Sequence, residues 1–278
     1  MKSQIGKMVW MNGSMIAAAD AACSVVSNGV QLGCGVFETL LCVRGSVIGL
    51  DLHFERLEEG VERMGYEIPS REILVNAIGE VLEANADLVA DLKAESGDKV
   101  KVRITTMDGV CMVECGAMPE RGECAKVVVS EYVRNERSAV AGVKCSLYAE
   151  NVVALREAQN DGADEVIFLN TQGVVSECAT ANVFWVKDKV VYTPSLVTGC
   201  LAGVTRELVC ELAASLSLKI QEGEYELADL LDADEVFITG TLRGVQGVTH
   251  VGCADVTDGL GEVTERLRRA YGEKYLNA

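Results

Sequence analysis

Lys144 is the first residue whose surroundings suggest chemistry. It lies in Gly142-Val143-Lys144-Cys145-Ser146-Leu147-Tyr148, after a polar loop and ahead of a helical pattern. Apolar neighbours disfavour an ammonium, so an amine placed there can be lowered in pKa and act as a nucleophile. Glu177 stands among small residues in Ser176-Glu177-Cys178-Ala179-Thr180, between two strand patterns. Held rigidly, its carboxylate could face a cationic ring nitrogen. Gly203-Val204-Thr205-Arg206 opens a helix after Gly199-Cys200-Leu201. The free N–H groups, the helix dipole and the Thr205 hydroxyl would together seat a phosphate. Thr239-Gly240-Thr241 offers a second hydroxyl, and Arg56 could supply the counter-charge. Each has a plainer alternative: a surface lysine, a solvated hairpin acid, a glycine-initiated helix, an ordinary turn, a solvated arginine. Taken one segment at a time, local sequence favours the plainer set.

Hydrophobic spacing says which elements must position these groups. Val9–Asn12 reads as a short strand, and Val36–Val43 as an apolar strand turned by Arg44-Gly45 into Val47–Leu50. Asp51 can cap the following helix, whose apolar face carries Phe54, Leu57, Val61 and Met64. A single helix is expected over Arg71–Leu92, with Leu74, Ile78, Val81 and Leu82 buried. Lys101–Met107 alternates as a strand. Beyond the polar stretch Met118–Cys124 come a strand at Lys126–Tyr132 and a helix at 149–160. Short strands follow at Glu165–Leu169, Val174–Ser176, Val183–Val186 and Val190–Tyr192. A helix at Val204–Ser215, a strand at Glu235–Thr239 and a helix at Val263–Tyr271 complete the pattern. Strands grouped in hairpins, rather than alternating strictly with helices, favour two α+β domains. The expected division is 1–119 and 120–278, the second domain being larger and carrying Lys144.

Composition narrows the partners. The 278 residues carry a formal net charge of −17, with 49% hydrophobic and 24% charged residues. Such a surface repels phosphate backbones and anionic lipid, which argues against nucleic-acid and membrane roles. Met1–Val9 lacks the apolar core of a signal peptide, so a cytoplasmic protein is expected. Eleven cysteines are scattered without paired spacing, apart from Cys111 and Cys115, and there are two histidines, His53 and His250. Most cysteines therefore read as reduced core residues, and no metal site is expected. No G-x-S-x-G elbow, P-loop or H-E-x-x-H motif is present.

In order and spacing, these segments resemble the class IV aminotransferases, the fold-type IV pyridoxal-phosphate enzymes. That family contains branched-chain aminotransferases, D-amino-acid aminotransferases and aminodeoxychorismate lyases. The resemblance runs from Trp10-Met11-Asn12-Gly13 through Gly35-Val36-Phe37-Glu38-Thr39, His53–Leu57 and Lys144. It continues through Gly162–Glu165, Glu177–Phe184, Thr193-Pro194, Leu201–Arg206 and Ala233–Phe237. It implies a two-domain α+β fold like that of D-amino-acid aminotransferase. Lys144 then matches the Schiff-base lysine, which also shuttles the substrate Cα proton, and Glu177 matches the acid on the pyridine nitrogen. Arg56, Val204, Thr205 and Thr241 match phosphate-holding positions, and Leu201 matches the apolar residue packed on the ring. Tyr148, one helical turn past Lys144, would line the same pocket. Family sites near a subunit interface imply a homodimer.

The sequence departs from that pattern in two places. Leu32-Gly33-Cys34-Gly35 replaces an aromatic residue followed by Gly-Asp-Gly, and Val110-Cys111-Met112-Val113 replaces the D-amino-acid enzymes' carboxylate trap. Lys101 and Arg103, with Glu38, are the candidate substrate contacts. Two reactions compete. Phe37-Glu38-Thr39, Tyr148 and Thr241-Leu242-Arg243-Gly244-Val245 look lyase-like, whereas Thr239-Gly240-Thr241 and Gly261-Glu262-Val263-Thr264 look like branched-chain aminotransferases. The reading leans to amino-group transfer between an amino acid, branched-chain type favoured, and a 2-oxo acid. The alternatives are 4-amino-4-deoxychorismate lyase, releasing pyruvate and p-aminobenzoate, and a pyridoxal-phosphate-binding protein without turnover.

Overall fold

Val102, Ile104 and Thr106 are buried while Lys101, Arg103 and Thr105 between them are half-buried, the period of two that a strand with one core face requires. The computed structural model describes residues 5–257 and 259–277. Part of Met1–Val9, namely residues 1–4, therefore lies outside the described residues. Two compact units emerge: Met1–Glu120 with Val143–Leu147, and Arg121–Gly142 with Tyr148–Ala278. The expected division at 119/120 had placed Lys144 in the second domain. Its segment instead groups with the first unit, for reasons of hydrogen bonding given below.

The first unit contains β1 (Met8–Met11), β2 (Ser14–Ala17), a short α1 (Asn28–Gln31), β3 (Val36–Val43), β4 (Ser46–Val47), α2 (Leu50–Met64), α3 (Arg71–Ala84), α4 (Ala86–Ser96), β5 (Lys99–Met107) and β6 (Val110–Gly116). Its sheet runs β2-β1-β6-β5-β3-β4. One face packs Leu40, Cys42, Val102, Ile104, Val113 and Cys115 against Phe54, Leu57 and Val61 of α2 and Leu74, Ile78 and Val81 of α3. Each such side chain contributes about 1.5–3 kcal/mol by leaving water. At Gly60 a Cβ would come within 2.9 Å of Val36 Cγ1, so glycine lets α2 approach β3 closely.

Three local expectations are corrected. The strand at Val47–Leu50 stops at Val47, because Gly49 turns left-handed (φ 62°) and Leu50 already begins α2. Asp51 accordingly lies in the first turn rather than at the cap, where its charge still complements the helix dipole. The single helix over 71–92 is two, broken at Asn85. The Asn85 amide leaves helical geometry to pair with Met8 like a strand, accepting from Met8 N at 3.0 Å and donating to Met8 O at 2.9 Å. The hairpin partner β6, absent from the sequence reading, follows the two-residue turn Asp108-Gly109, with Gly109 at φ 73°.

The second unit contains β7 (Cys124–Arg134), α5 (Ala149–Asn160), β8 (Glu165–Asn170), β9 (Val175–Cys178), β10 (Asn182–Lys187), β11 (Val190–Pro194), α6 (Val204–Ser215), β12 (Ile220–Gly223), α7 (Leu227–Leu231), β13 (Glu235–Gly240), β14 (Gly244–Val251), β15 (Ala254–Asp255) and α8 (Glu262–Tyr271). The sheet order is β12-β11-β10-β13-β14-β7-β8-β9, with β15 on β14. β7 and β8 pair in parallel, as do β11 and β12, which demands the crossovers α5 and α6. Its core includes Val183, Trp185, Val236, Ile238 and Val248. All eleven cysteines are free, and six of them are buried. Burial pushes the Cys111 thiol up to about 12. It likewise raises Cys115 to about 11, helped by the Glu114 charge, so both act as core packing rather than reactive thiols.

Candidate active site

In the first unit the irregular segment bearing Lys144 docks on the start of β3. Phe37 N–H donates to Lys144 O at 3.0 Å, Ser146 N–H donates to Gly35 O at 2.7 Å, and Cys145 bridges Val36. Gly35 makes this possible, since a Cβ there would meet Ser146 Oγ at 2.6 Å. The Gly33 position likewise packs on Leu147. Two glycines of the departing stretch Leu32–Gly35 therefore seat the lysine segment, while Leu32 itself is exposed. Lys144 Nζ lies 4.4 Å from the centroid of the buried Phe37 ring, and the Arg103 guanidinium carbon lies 3.9 Å from it. One aromatic ring thus contacts both an amine and a guanidinium.

Behind this ring, Glu38 is fully buried on the opposite face of β3. Arg56 donates Nε to Oε1 at 2.8 Å and Nη2 to Oε2 at 2.7 Å, and His53 Nδ1 meets Oε2 at 2.7 Å. Burial works against the Glu38 charge, but Arg56 and then His53 outweigh it and hold the carboxyl at about 2. Burial pushes the His53 imidazole below its usual range despite Glu38, and the Arg56 and Lys144 charges add to the lowering. The neutral ring then donates through Nδ1, which leaves Nε2 buried without a hydrogen-bond partner among the described residues.

In the second unit Glu177 projects from β9. It accepts from Leu201 N–H at 2.9 Å through Oε2, while Arg134 Nε stands 3.3 Å from Oε1 as an ion pair. Arg134 is itself held by Glu150 at 2.8 Å and stacked on Phe168. Asn182 donates to Leu201 O at 2.8 Å and occupies the space where a Gly203 Cβ would be, 1.9 Å from its Oδ1. α6 consequently begins at Val204 with a glycine cap that has no side chain to satisfy the first N–H groups. Thr205 is buried and shares a hydrogen bond with Tyr271, whose ring also lies 3.2 Å from where a Cβ on Gly244 would be. The turn bearing Thr241 and the start of α6 therefore meet at Tyr271. The Thr239 hydroxyl is buried there without a partner among the described residues. Unsatisfied helix N–H groups and threonine hydroxyls are groups that an anion can accept from, and the Glu177 carboxylate is fixed by Leu201 N–H shortly before that helix.

Several predicted residues sit otherwise than expected. Tyr148 is not a helical turn beyond Lys144, because residues 143–147 are not helical and α5 starts at Ala149; its phenol donates to Ala179 O at 2.8 Å. Glu38, expected at the substrate, spends both oxygens on Arg56 and His53. Lys101 pairs with Leu41, four residues along β3 from Phe37 and so roughly 13 Å away at strand rise. Arg103 pairs with Thr39 and reaches the ring. Arg206 turns instead to Pro194 O at 3.0 Å and to Glu222. Arg134 and Tyr271 were missed by sequence reasoning, since no local spacing marks partners as distant as Glu177 and Gly244; Thr239 belongs to a turn the sequence had singled out, but its buried, unpartnered hydroxyl was not foreseen.

The first unit thus carries a lysine amine, and the second an uncapped helix start and a fixed carboxylate, in a two-unit α+β chain of the fold-type IV kind. Residues 35–251 match the amino-transferase class IV family. An aminodeoxychorismate lyase of Bacillus subtilis is 32% identical over 97% of this chain and 95% of its own. A branched-chain-amino-acid aminotransferase of Pseudomonas aeruginosa is 30% identical over 95% of this chain and 91% of its own. A solved branched-chain amino acid aminotransferase from Escherichia coli superposes with a TM-score of 0.85 at 26% identity, over 98% of this chain and 95% of that one. The chain belongs to the class IV aminotransferase family, whose typical chemistry is that of pyridoxal phosphate.

Proposed function

We propose that the protein uses pyridoxal phosphate to transfer an amino group from an amino acid, branched-chain type favoured, to a 2-oxo acid. The observation that carries this reading is that one ring, Phe37, holds both Lys144 Nζ at 4.4 Å and the Arg103 guanidinium carbon at 3.9 Å from its centroid, an amine together with a guanidinium suited to a substrate carboxylate. The residues present suit the cofactor. The uncapped start of α6 and the unpartnered Thr239 hydroxyl suit a phosphate. When bound, pyridoxal phosphate supplies an electron sink for the substrate Cα. Lys144 would hold it covalently through Nζ and afterwards carry the Cα proton. Glu177 would keep a proton on the ring nitrogen, steadied by Leu201 N–H and Arg134. Arg56, Val204, Thr205 and Thr241 would hold the phosphate, and Leu201 would pack on the ring. Tyr148 would act by fixing Ala179 rather than by touching the cofactor.

The lyase reading is supported by the 32% identity to the Bacillus subtilis enzyme. It uses the same lysine and carboxylate, but expels pyruvate after the Cα proton is removed. Retention of both Lys144 and Glu177 speaks against a binding protein without turnover. A panel of amino acids paired with 2-oxoglutarate, run beside aminodeoxychorismate, separates the readings. Release of the matching 2-oxo acid supports transfer. Catalytic p-aminobenzoate and pyruvate with no 2-oxo acid from any amino acid would replace it with the lyase. We also propose a cytoplasmic homodimer, supported by the free thiols and by exposed Val25, Val26, Val30 and Leu32 in the first unit. An active monomer by light scattering would overturn the dimer.

A further inference from the structure

Arg243 lies in the lyase-like segment Thr241-Leu242-Arg243-Gly244-Val245, and its side chain is only 2% exposed and points inward. Its Nη2 donates to Glu165 Oε2 at 2.7 Å and to Thr180 Oγ1 at 2.8 Å, and Nη1 donates to Gln246 Oε1 at 2.9 Å. Gln246 in turn donates to Gly122 O at 2.8 Å. Glu165 is fully buried, and besides Arg243 it accepts from the Thr180 hydroxyl and from Thr180 N–H. The backbone completes the knot: Arg243 N–H donates to Gly240 O at 3.0 Å, closing the turn that carries Thr241. Gly240 faces both loops, since an added Cβ would stand 3.4 Å from Arg243 Cγ and from Thr180 O, an ordinary packing distance.

Two loops far apart in sequence are thereby tied to one buried charge pair. One is the turn 240–244. The other is the Ala179–Ala181 connection, which follows Glu177 and leads into Asn182, the residue that fixes Leu201 and Gly203. A buried ion pair adds little net stability, because desolvation offsets most of its attraction. What it does impose is one geometry, since neither charge can leave its partner without a large penalty.

We propose that the Arg243–Glu165 pair, bridged by Thr180, is a positioning device that sets the phosphate-holding turn at Thr241 and so gives the protein its preference for a phosphorylated cofactor. This rests on the proposed assignment of Thr241 to the phosphate. No member of the trio touches the cofactor. Arg243 orders the turn, and Glu165 and Thr180 hold Arg243. Losing the pair should therefore weaken contacts to phosphate while leaving those to the ring and aldehyde.

The test compares apo-protein affinities for pyridoxal phosphate and for pyridoxal, read by absorbance and fluorescence titration without substrate. Wild type should prefer the phosphorylated form, and Thr241→Ala should lose part of that preference. Glu165→Gln and Arg243→Lys should each reduce pyridoxal-phosphate affinity by about tenfold, the scale of one charge-assisted hydrogen bond, and change pyridoxal affinity less than twofold. Thr180→Val keeps the ion pair and shape and should lose about threefold, again for the phosphate form alone. It also decides the matter if a charge variant is insoluble. The ratio of the two affinities cancels any general loss of folded protein. If Thr241→Ala is selective but the other three variants shift both ligands equally or neither, the positioning role is overturned while the phosphate assignment stands. If Thr241→Ala itself leaves the ratio unchanged, the assignment fails and the inference falls with it.

Discussion

Glu38 illustrates what a residue type can and cannot disclose. An acid on an apolar strand beside a family motif invited a substrate role; the structure gives it to Arg56 and His53. With its pKa held at about 2 against an ordinary 4.5, its stabilisation is fully present above pH 4.5 and lost as pH falls through 2. Glu38→Gln should cost about 3 kcal/mol at pH 7, because Arg56 then loses its buried counter-charge. In urea unfolding, the gap between wild type and variant should narrow progressively from pH 4.5 downward; a gap that stays constant would contradict the ion pair. The roles proposed for Lys144 and Glu177 rest on neighbours that form an ordered series over most of the chain. Arg134 was not, since nothing in Tyr132-Val133-Arg134-Asn135 announces a carboxylate at 177.

Among elements, helices with a clean apolar face were readable: α2, α5 and α6 fall where their spacing put them. Asn85 broke the long helix through a backbone-mimicking side chain, which periodicity does not register. β14 was unmarked because it is buried along most of its length and lacks alternation. Gly203 carries the sharpest prediction here. Gly203→Ala must displace Asn182, freeing Leu201 and the start of α6, so a stability loss of about 1–3 kcal/mol is expected with weaker pyridoxal-phosphate binding. Gly79→Ala, inside α3 with nothing near its Cβ, should instead stabilise by about 1 kcal/mol. Thermal melts of the two variants check this, and equal shifts would refute it.

At the scale of the molecule, length and strands grouped in hairpins led to an expectation of two α+β domains divided at 119/120, whereas the structure groups Val143–Leu147 with the first unit. The reason is physical: Lys144, Cys145 and Ser146 pair with Gly35–Phe37 at the start of β3 although they follow it by more than a hundred positions, and such long-range pairing leaves no local pattern. Everything proposed about the chemistry depends on that lysine. The most direct measurement is borohydride reduction of the purified, pyridoxal-phosphate-loaded protein, followed by peptide mass mapping. The cofactor should be fixed on the peptide containing Lys144, and Lys144→Ala should release it on dialysis. Fixation on another lysine, or covalent retention by Lys144→Ala, would contradict the account.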